Sequence, residues 1–245
     1  MFISLFPYSN VFIYATILQV IMAPSSYDKL NTLLTRYVKV GSSKLNIDRL
    51  RECLQSLSTE EVYQLLTTVR DKYRATAIHH AVWRDHTELI TQHCNSVKAE
   101  QKYQLLMIQV VYGLTALHSA ALIGHKEAAM CIYNSVTTEQ RYQLLTIQAT
   151  FGHTPLHYAA WQGHTKLIAH ILDSVEPAQR IQLLEIGNIN SDTALDVAKK
   201  CGNQLTAAEI KKYTGQETAP DCGNYLCYFT CNIFLNVYLL LKICT

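Results

Sequence analysis

Ten histidines and eight cysteines are the residues of this chain best equipped for chemistry. Imidazole and thiolate bind transition metals, and both act in acid–base or nucleophilic catalysis near neutral pH. Their spacing argues against either use. Cys53, Cys94, Cys131 and Cys201 are scattered, while Cys222, Cys227, Cys231 and Cys244 sit near the end. Neither group has the C-x-x-C spacing of a zinc site or a redox dithiol. His79 and His80 adjoin each other without a further ligand at helical spacing. No glycine-rich phosphate loop, H-E-x-x-H helix or G-x-S-x-G elbow occurs. The chain therefore offers no complete catalytic or metal-binding constellation, and no cofactor is expected.

The histidines recur instead. His79, His118 and His157 lie 39 residues apart, and so do His86, His125 and His164. The residues around them repeat as a block: "ATAIHHAVWRDH", "LTALHSAALIGH", "HTPLHYAAWQGH" and "DTALDVAKKCGN" place Thr76, Thr115, Thr154 and Thr193 at three equal intervals of 39. Such a period marks a stacked array rather than one globular core.

Each block reads as a helical hairpin. The threonines suit an N-cap, where the hydroxyl satisfies a free helix N–H. Pro155 follows at the first helical position, where its missing N–H is harmless. Ile78, Leu117, Leu156 and Leu195 point inward, and Ala81, Ala120, Ala159 and Ala198 let neighbouring helices approach closely. Gly124, Gly163 and Gly202 suit a left-handed turn between the two helices, with Asp85 in the first copy. A second helix then runs back with apolar pairs such as Leu89–Ile90 and Leu167–Ile168.

This Thr-Pro-Leu-His, Ala-Ala, Gly-His pattern resembles the ankyrin repeat, most closely at 154–164, "TPLHYAAWQGH". The last copy, with Asp196 in place of the histidine, is similar to terminal repeats of that family. A further copy, "NIDRLRECLQSL", lies upstream with a degenerate partner helix around 27–40. The resemblance spans about 27–214, a domain of 25–215 with a cap at 27–67 and repeats starting near 68, 108, 147 and 186. It implies an all-α helical solenoid that binds a protein partner, and structural, hydrogen-bonding roles for His79, His118 and His157.

One departure is consistent. The family period is about 33 residues, and the surplus here lies in "LSTEEVYQLL", "VKAEQKYQLL", "VTTEQRYQLL" and "VEPAQRIQLL". Ser58 with Glu61, and Thr137 with Gln140, form capping boxes, and Pro177 suits a first turn. Each segment is expected to be an extra short helix whose paired leucines pack inward. The alternative is that this motif is itself a ligand site.

In the family, variable positions on the hairpin tip and inner helix line a concave surface. Carried over, these are Lys72, Tyr73, Ala75, Trp83 and Arg84, then Val111, Tyr112, Leu114, Leu122 and Ile123, then Thr150, Phe151, His153, Trp161 and Gln162. Aromatic and Arg side chains on an exposed strip have the composition of a protein-binding hot spot. The competing reading is that the extra helix or a terminal segment covers this strip.

Lys plus Arg number 21 and Asp plus Glu 19, a balance that points away from a nucleic-acid binder and from an acidic disordered tail. The absence of an Asn-X-Ser/Thr sequon and the irregular cysteines suit a reduced, cytoplasmic setting. Residues 1–23 and 223–241 carry no charged side chain and are long enough to span a bilayer. They are read either as membrane segments or as apolar flaps capping the domain. The four C-terminal cysteines suit lipidation beside a membrane or act as small apolar side chains.

Overall fold

The computed structural model describes residues 26–40 and 47–214. The apolar stretches at 1–23 and 223–241 lie outside them. Among the described residues the regular elements are all helical, and no helix is long and apolar enough to cross a membrane.

Helices α1 (Ser26–Val40), α2 (Ile47–Gln55) and α3 (Thr59–Thr68) begin the stack. Then come α4 (Ala77–Trp83), α5 (Thr87–Asn95) and α6 (Ala99–Leu106), and the same trio recurs as α7 (Ala116–Ile123), α8 (Lys126–Asn134) and α9 (Thr138–Thr146). The next is α10 (Pro155–Gln162), α11 (Thr165–Asp173) and α12 (Pro177–Glu185), and the pair α13 (Ala194–Lys200) and α14 (Gln204–Thr214) ends the described chain. The inner helices α4, α7, α10 and α13 pack side by side, as do the outer pairs α5–α8 and α11–α14. Helix α1 packs on α2, α3 and α4, in the place of an inner helix.

Alanine makes the inner stack possible. Ala81, Ala120, Ala159 and Ala198 are wholly buried, and a methyl there lets adjacent short helices approach closely. The hairpin turns need a left-handed residue after the inner helix. Gly124 and Gly163 supply it at φ +88° and +77°, and Asp85 does so at φ +53°.

The third helices form where the caps foretell them. The Ser58 hydroxyl accepts from the Glu61 N–H at 3.3 Å while Glu61 Oε2 accepts from the Ser58 N–H at 2.9 Å. Thr137 and Gln140 close the same reciprocal pair at 3.2 and 3.3 Å. Pro177 opens α12. The paired leucines of all four (Leu65–Leu66, Leu105–Leu106, Leu144–Leu145 and Leu183–Leu184) are buried. Each is worth about 1.5–3 kcal/mol of transfer free energy, so the segment is held by packing. Side by side, α3 packs on α6 and α9 on α12. Arg141 and Arg180 reach from these helices to carbonyls that an outer helix leaves free at its C-terminus. Arg141 Nη1 donates to Ser174 O at 2.8 Å, and Arg180 Nε to Leu172 O at 2.7 Å.

Candidate functional site

Two histidine ladders and a row of hairpin tips frame the expected binding strip. Each inner helix begins with a Thr-x-x-His pair. In α7 the Thr115 N–H donates to His118 Nδ1 at 3.2 Å, and the Thr115 hydroxyl lies 2.8 Å from the same nitrogen. Nδ1 is therefore the acceptor, and the proton sits on Nε2, which donates to the His153 carbonyl at 3.2 Å. His157 repeats this on α10, with Thr154 at 2.8 Å and Asp192 O at 2.9 Å. His79 keeps the Thr76 pairing at 2.9 Å, but its Nε2 makes no well-formed hydrogen bond among the described residues and has only a weak interaction with the Ile108 backbone. Burial holds the His79 and His118 rings down to about 3, and it lowers His157 as well. In the last repeat Asp196 replaces the histidine and takes the Thr193 N–H at 3.0 Å.

The second ladder runs the other way. His125 Nδ1 donates to Val82 O at 2.8 Å, and His164 Nε2 to Leu122 O at 3.2 Å. Asn203 takes over at the end, donating to Ala160 O and Trp161 O at 2.9 and 2.7 Å. Each of these side chains thus occupies the carbonyls at the end of the preceding inner helix.

The tips are five-residue hairpins closed by the backbone. Asp71, Val110, Ala149 and Asn188 each donate an N–H to the carbonyl four residues on, at 2.8–3.0 Å. Neighbouring tips are tied as well, Val111 N to Tyr73 O at 3.1 Å and Ile189 N to Phe151 O at 3.0 Å. Tyr112 and Phe151 stand at the apex with φ of +68° and +67°, a left-handed conformation uncommon for bulky residues.

The carried-over strip separates into three groups. Lys72, Val111, Tyr112, Thr150, Phe151 and Gln162 are exposed. Tyr112 and Phe151 keep 39% and 38% of their surface open. Tyr73, Trp83, Arg84, Ile123, His153 and Trp161 are half-buried, with both indoles packed against the core. Leu114 and Leu122 do not face outward, nor does Ala75. Leu122, 3% exposed, holds the register position between Trp83 and Trp161 and belongs to the core. Leu114 and Ala75 close the base of their tips and belong to the core.

Spacing did not single out a polar knot at the N-terminal end. Asp71 Oδ1 accepts from Tyr73 N and Ala75 N, both at 2.8 Å, while Oδ2 lies 3.1 Å from His80 Nε2. Arg84 is 3.0 Å from the other ring nitrogen of His80 and lies over the Tyr37 ring, 4.9 Å from its centre. Burial pushes the Tyr37 hydroxyl up to about 12, against the lowering effect of Arg84. Burial, then Arg84, lowers His80 to about 4 although Asp71 pulls the other way. Asp at the start of a tip is a turn signal that the sequence did offer, and Asn188 plays the same part in the last tip, accepting from Asn190 N and Asp192 N. Further along, the rings of His118, Tyr158, His153 and Trp161 adjoin one another, with Tyr158 5.8 Å from His118, 5.5 Å from His153 and 6.4 Å from Trp161.

Among the described residues no group of three or more His, Cys, Asp or Glu side chains could hold a metal ion. Comparison with known proteins agrees with the architecture. No curated protein matches the chain. A family model of ankyrin repeats matches residues 78–181 in three copies. These copies take in the Thr115 and Thr154 caps, His79, His118, His125, His157 and His164, and the Gly124 and Gly163 turns, and ankyrin repeats are in general modules of protein–protein interaction. Residues 78–181 of the chain are thus ankyrin repeats.

Proposed function

We propose that this protein is a non-enzymatic scaffold that holds a partner protein against its hairpin tips and the neighbouring face of its inner helices. The observation that carries this reading is the pair Tyr112 and Phe151. At φ near +68° a side chain costs about 1–2 kcal/mol relative to glycine. Two successive tips nonetheless present an exposed aromatic ring there, in the same register. Rings kept where the backbone disfavours them, and where water reaches them, suit binding better than stability. Lys72 and Gln162 are exposed on the same strip, and Trp83, Arg84 and Trp161 stand half-buried along it. Such a surface supplies aromatic anchors with a polar rim.

The test is capture of interacting proteins by the full chain, compared with a Tyr112→Ser/Phe151→Ser variant of unchanged helical circular dichroism. Loss of a specific captured protein supports the reading. Equal capture by both chains moves the binding surface elsewhere.

A further inference from the structure

Among the described residues the third-helix layer is open at its C-terminal end. In two of the three preceding repeats the aromatic residue of this layer reaches the next third helix: the Tyr63 hydroxyl donates to Gln104 Oε1, and that of Tyr142 to Gln182 Oε1, both at 2.9 Å. Ile181 holds the same register on α12, faces no further third helix among the described residues, and is 54% exposed. Beside it runs a groove of about 290 Å³ between α12, α13 and α14, floored by Leu184, Leu195 and Ile210, with Tyr213 and Glu185 also lining it. Three of these residues belong to the buried core, so among the described residues the groove is an unfilled continuation of that core.

We propose that this groove is filled by the chain's own C-terminal segment, with the run "YLCYF" at 225–229 seated on Ile181 and closing the layer. Three observations select this occupant. The described chain ends at Thr214, which itself lines the groove, so the following residues start beside it. The repeat period would begin the next third helix at 216, one interval of 39 after Pro177. Residues 216–224, "QETAPDCGN", lack the aromatic–leucine pattern, and Tyr225 and Leu226 are where an aromatic–leucine pair first returns. The ten residues 215–224 reach roughly 33 Å when extended, more than the length of a nine-residue helix such as α12. A tethered segment also competes at an effective concentration in the millimolar range, which a second copy in dilute solution does not match. Covering a groove lined by Ile, Leu and Tyr removes apolar surface from both sides.

The experiment places a photo-activated benzophenone side chain at position 181 in the full-length protein and maps the cross-link by mass spectrometry. The expected product is a cross-linked monomer joining position 181 to the peptide that contains 225–229. A dimer cross-link, a product with residues 1–24, or no product with 216–245 overturns the proposal. A second measurement does not depend on the cross-linker. Chymotrypsin should cleave an Ile181→Lys variant at 225–229 at least about ten-fold faster than the unaltered chain, with helical circular dichroism retained. Equal cleavage rates, or recovery of the segment inserted in phosphatidylcholine vesicles, also overturn it.

Discussion

His118 Nε2 donates to the backbone carbonyl of His153, 35 residues further on, at 3.2 Å, while its Nδ1 accepts from the cap of its own helix. One ring thus joins the start of an inner helix to the base of the next tip. We predict that His118→Ala loses both links, leaves buried groups unpaired, and destabilises the stack by about 2–4 kcal/mol. Urea denaturation of the two chains measures the difference, and a change below about 1 kcal/mol would refute the role.

The buried histidines predict acid sensitivity. His79, His93 and His118 are held down to about 3 by burial, against about 6.5 in an unfolded chain. The unfolded state therefore binds more protons than the folded state between those two values. Stability is full above about 6.5 and falls as pH drops toward 3, by on the order of 1–2 kcal/mol per histidine at pH 5. Helical circular dichroism should collapse between about pH 6 and 4. A signal that holds to pH 3 would contradict the neutral, buried rings.

His93 is a liability in its own right. It is wholly buried on α5, and neither ring nitrogen has a partner among the described residues. One and two periods on, the same register holds Ile132 and Ile171, both fully buried. A His93→Ile substitution should stabilise the protein by about 1–3 kcal/mol by removing two unsatisfied polar atoms. It should also reduce the loss of stability on acidification. A lower melting temperature in the variant would show that the ring has an undetected partner.

Two turn glycines should respond differently to alanine. At Gly124 an added Cβ would stand 2.5 Å from His164 Cε1, and that ring is fixed by its bond to Leu122 O. At Gly202 nothing lies within 4 Å, so only the left-handed backbone opposes the change. Gly124→Ala should cost about 2–3 kcal/mol and Gly202→Ala about 1. Equal losses would mean that the His164 ring moves away freely.

The tip aromatics separate stability from binding. Tyr112→Gly and Phe151→Gly relieve the left-handed strain while removing exposed rings. Melting temperatures should stay level or rise, by up to about 1 kcal/mol in equivalent free energy, while partner capture falls at least ten-fold. Stability lost together with capture would mark the rings as packing residues.

The period of 39 was legible because every repeat must present the same threonine, alanine and turn residue to its neighbour. The third helix was legible through local signals, the Ser58–Glu61 and Thr137–Gln140 boxes and the paired leucines. What escaped was set by neighbours in space. Leu122 is core because its helix α7 is packed between α4 and α10, one period to either side, which no window around residue 122 contains. The knot of Asp71, His80, Arg84 and Tyr37 escaped because Tyr37 comes from α1, outside the repeating pattern. His93 could have been flagged against Ile132 and Ile171, a polar ring at an isoleucine register.

The added layer has a mechanical consequence. A stack of hairpins joined along one edge can open like the pages of a book. Here neighbouring tips are bonded at Val111–Tyr73 and Ile189–Phe151, and the third helices are bonded at Tyr63–Gln104 and Tyr142–Gln182. Each of these two junctions is therefore stitched twice, at the tip and at the third helix, and should open less readily than one held by its hairpins alone.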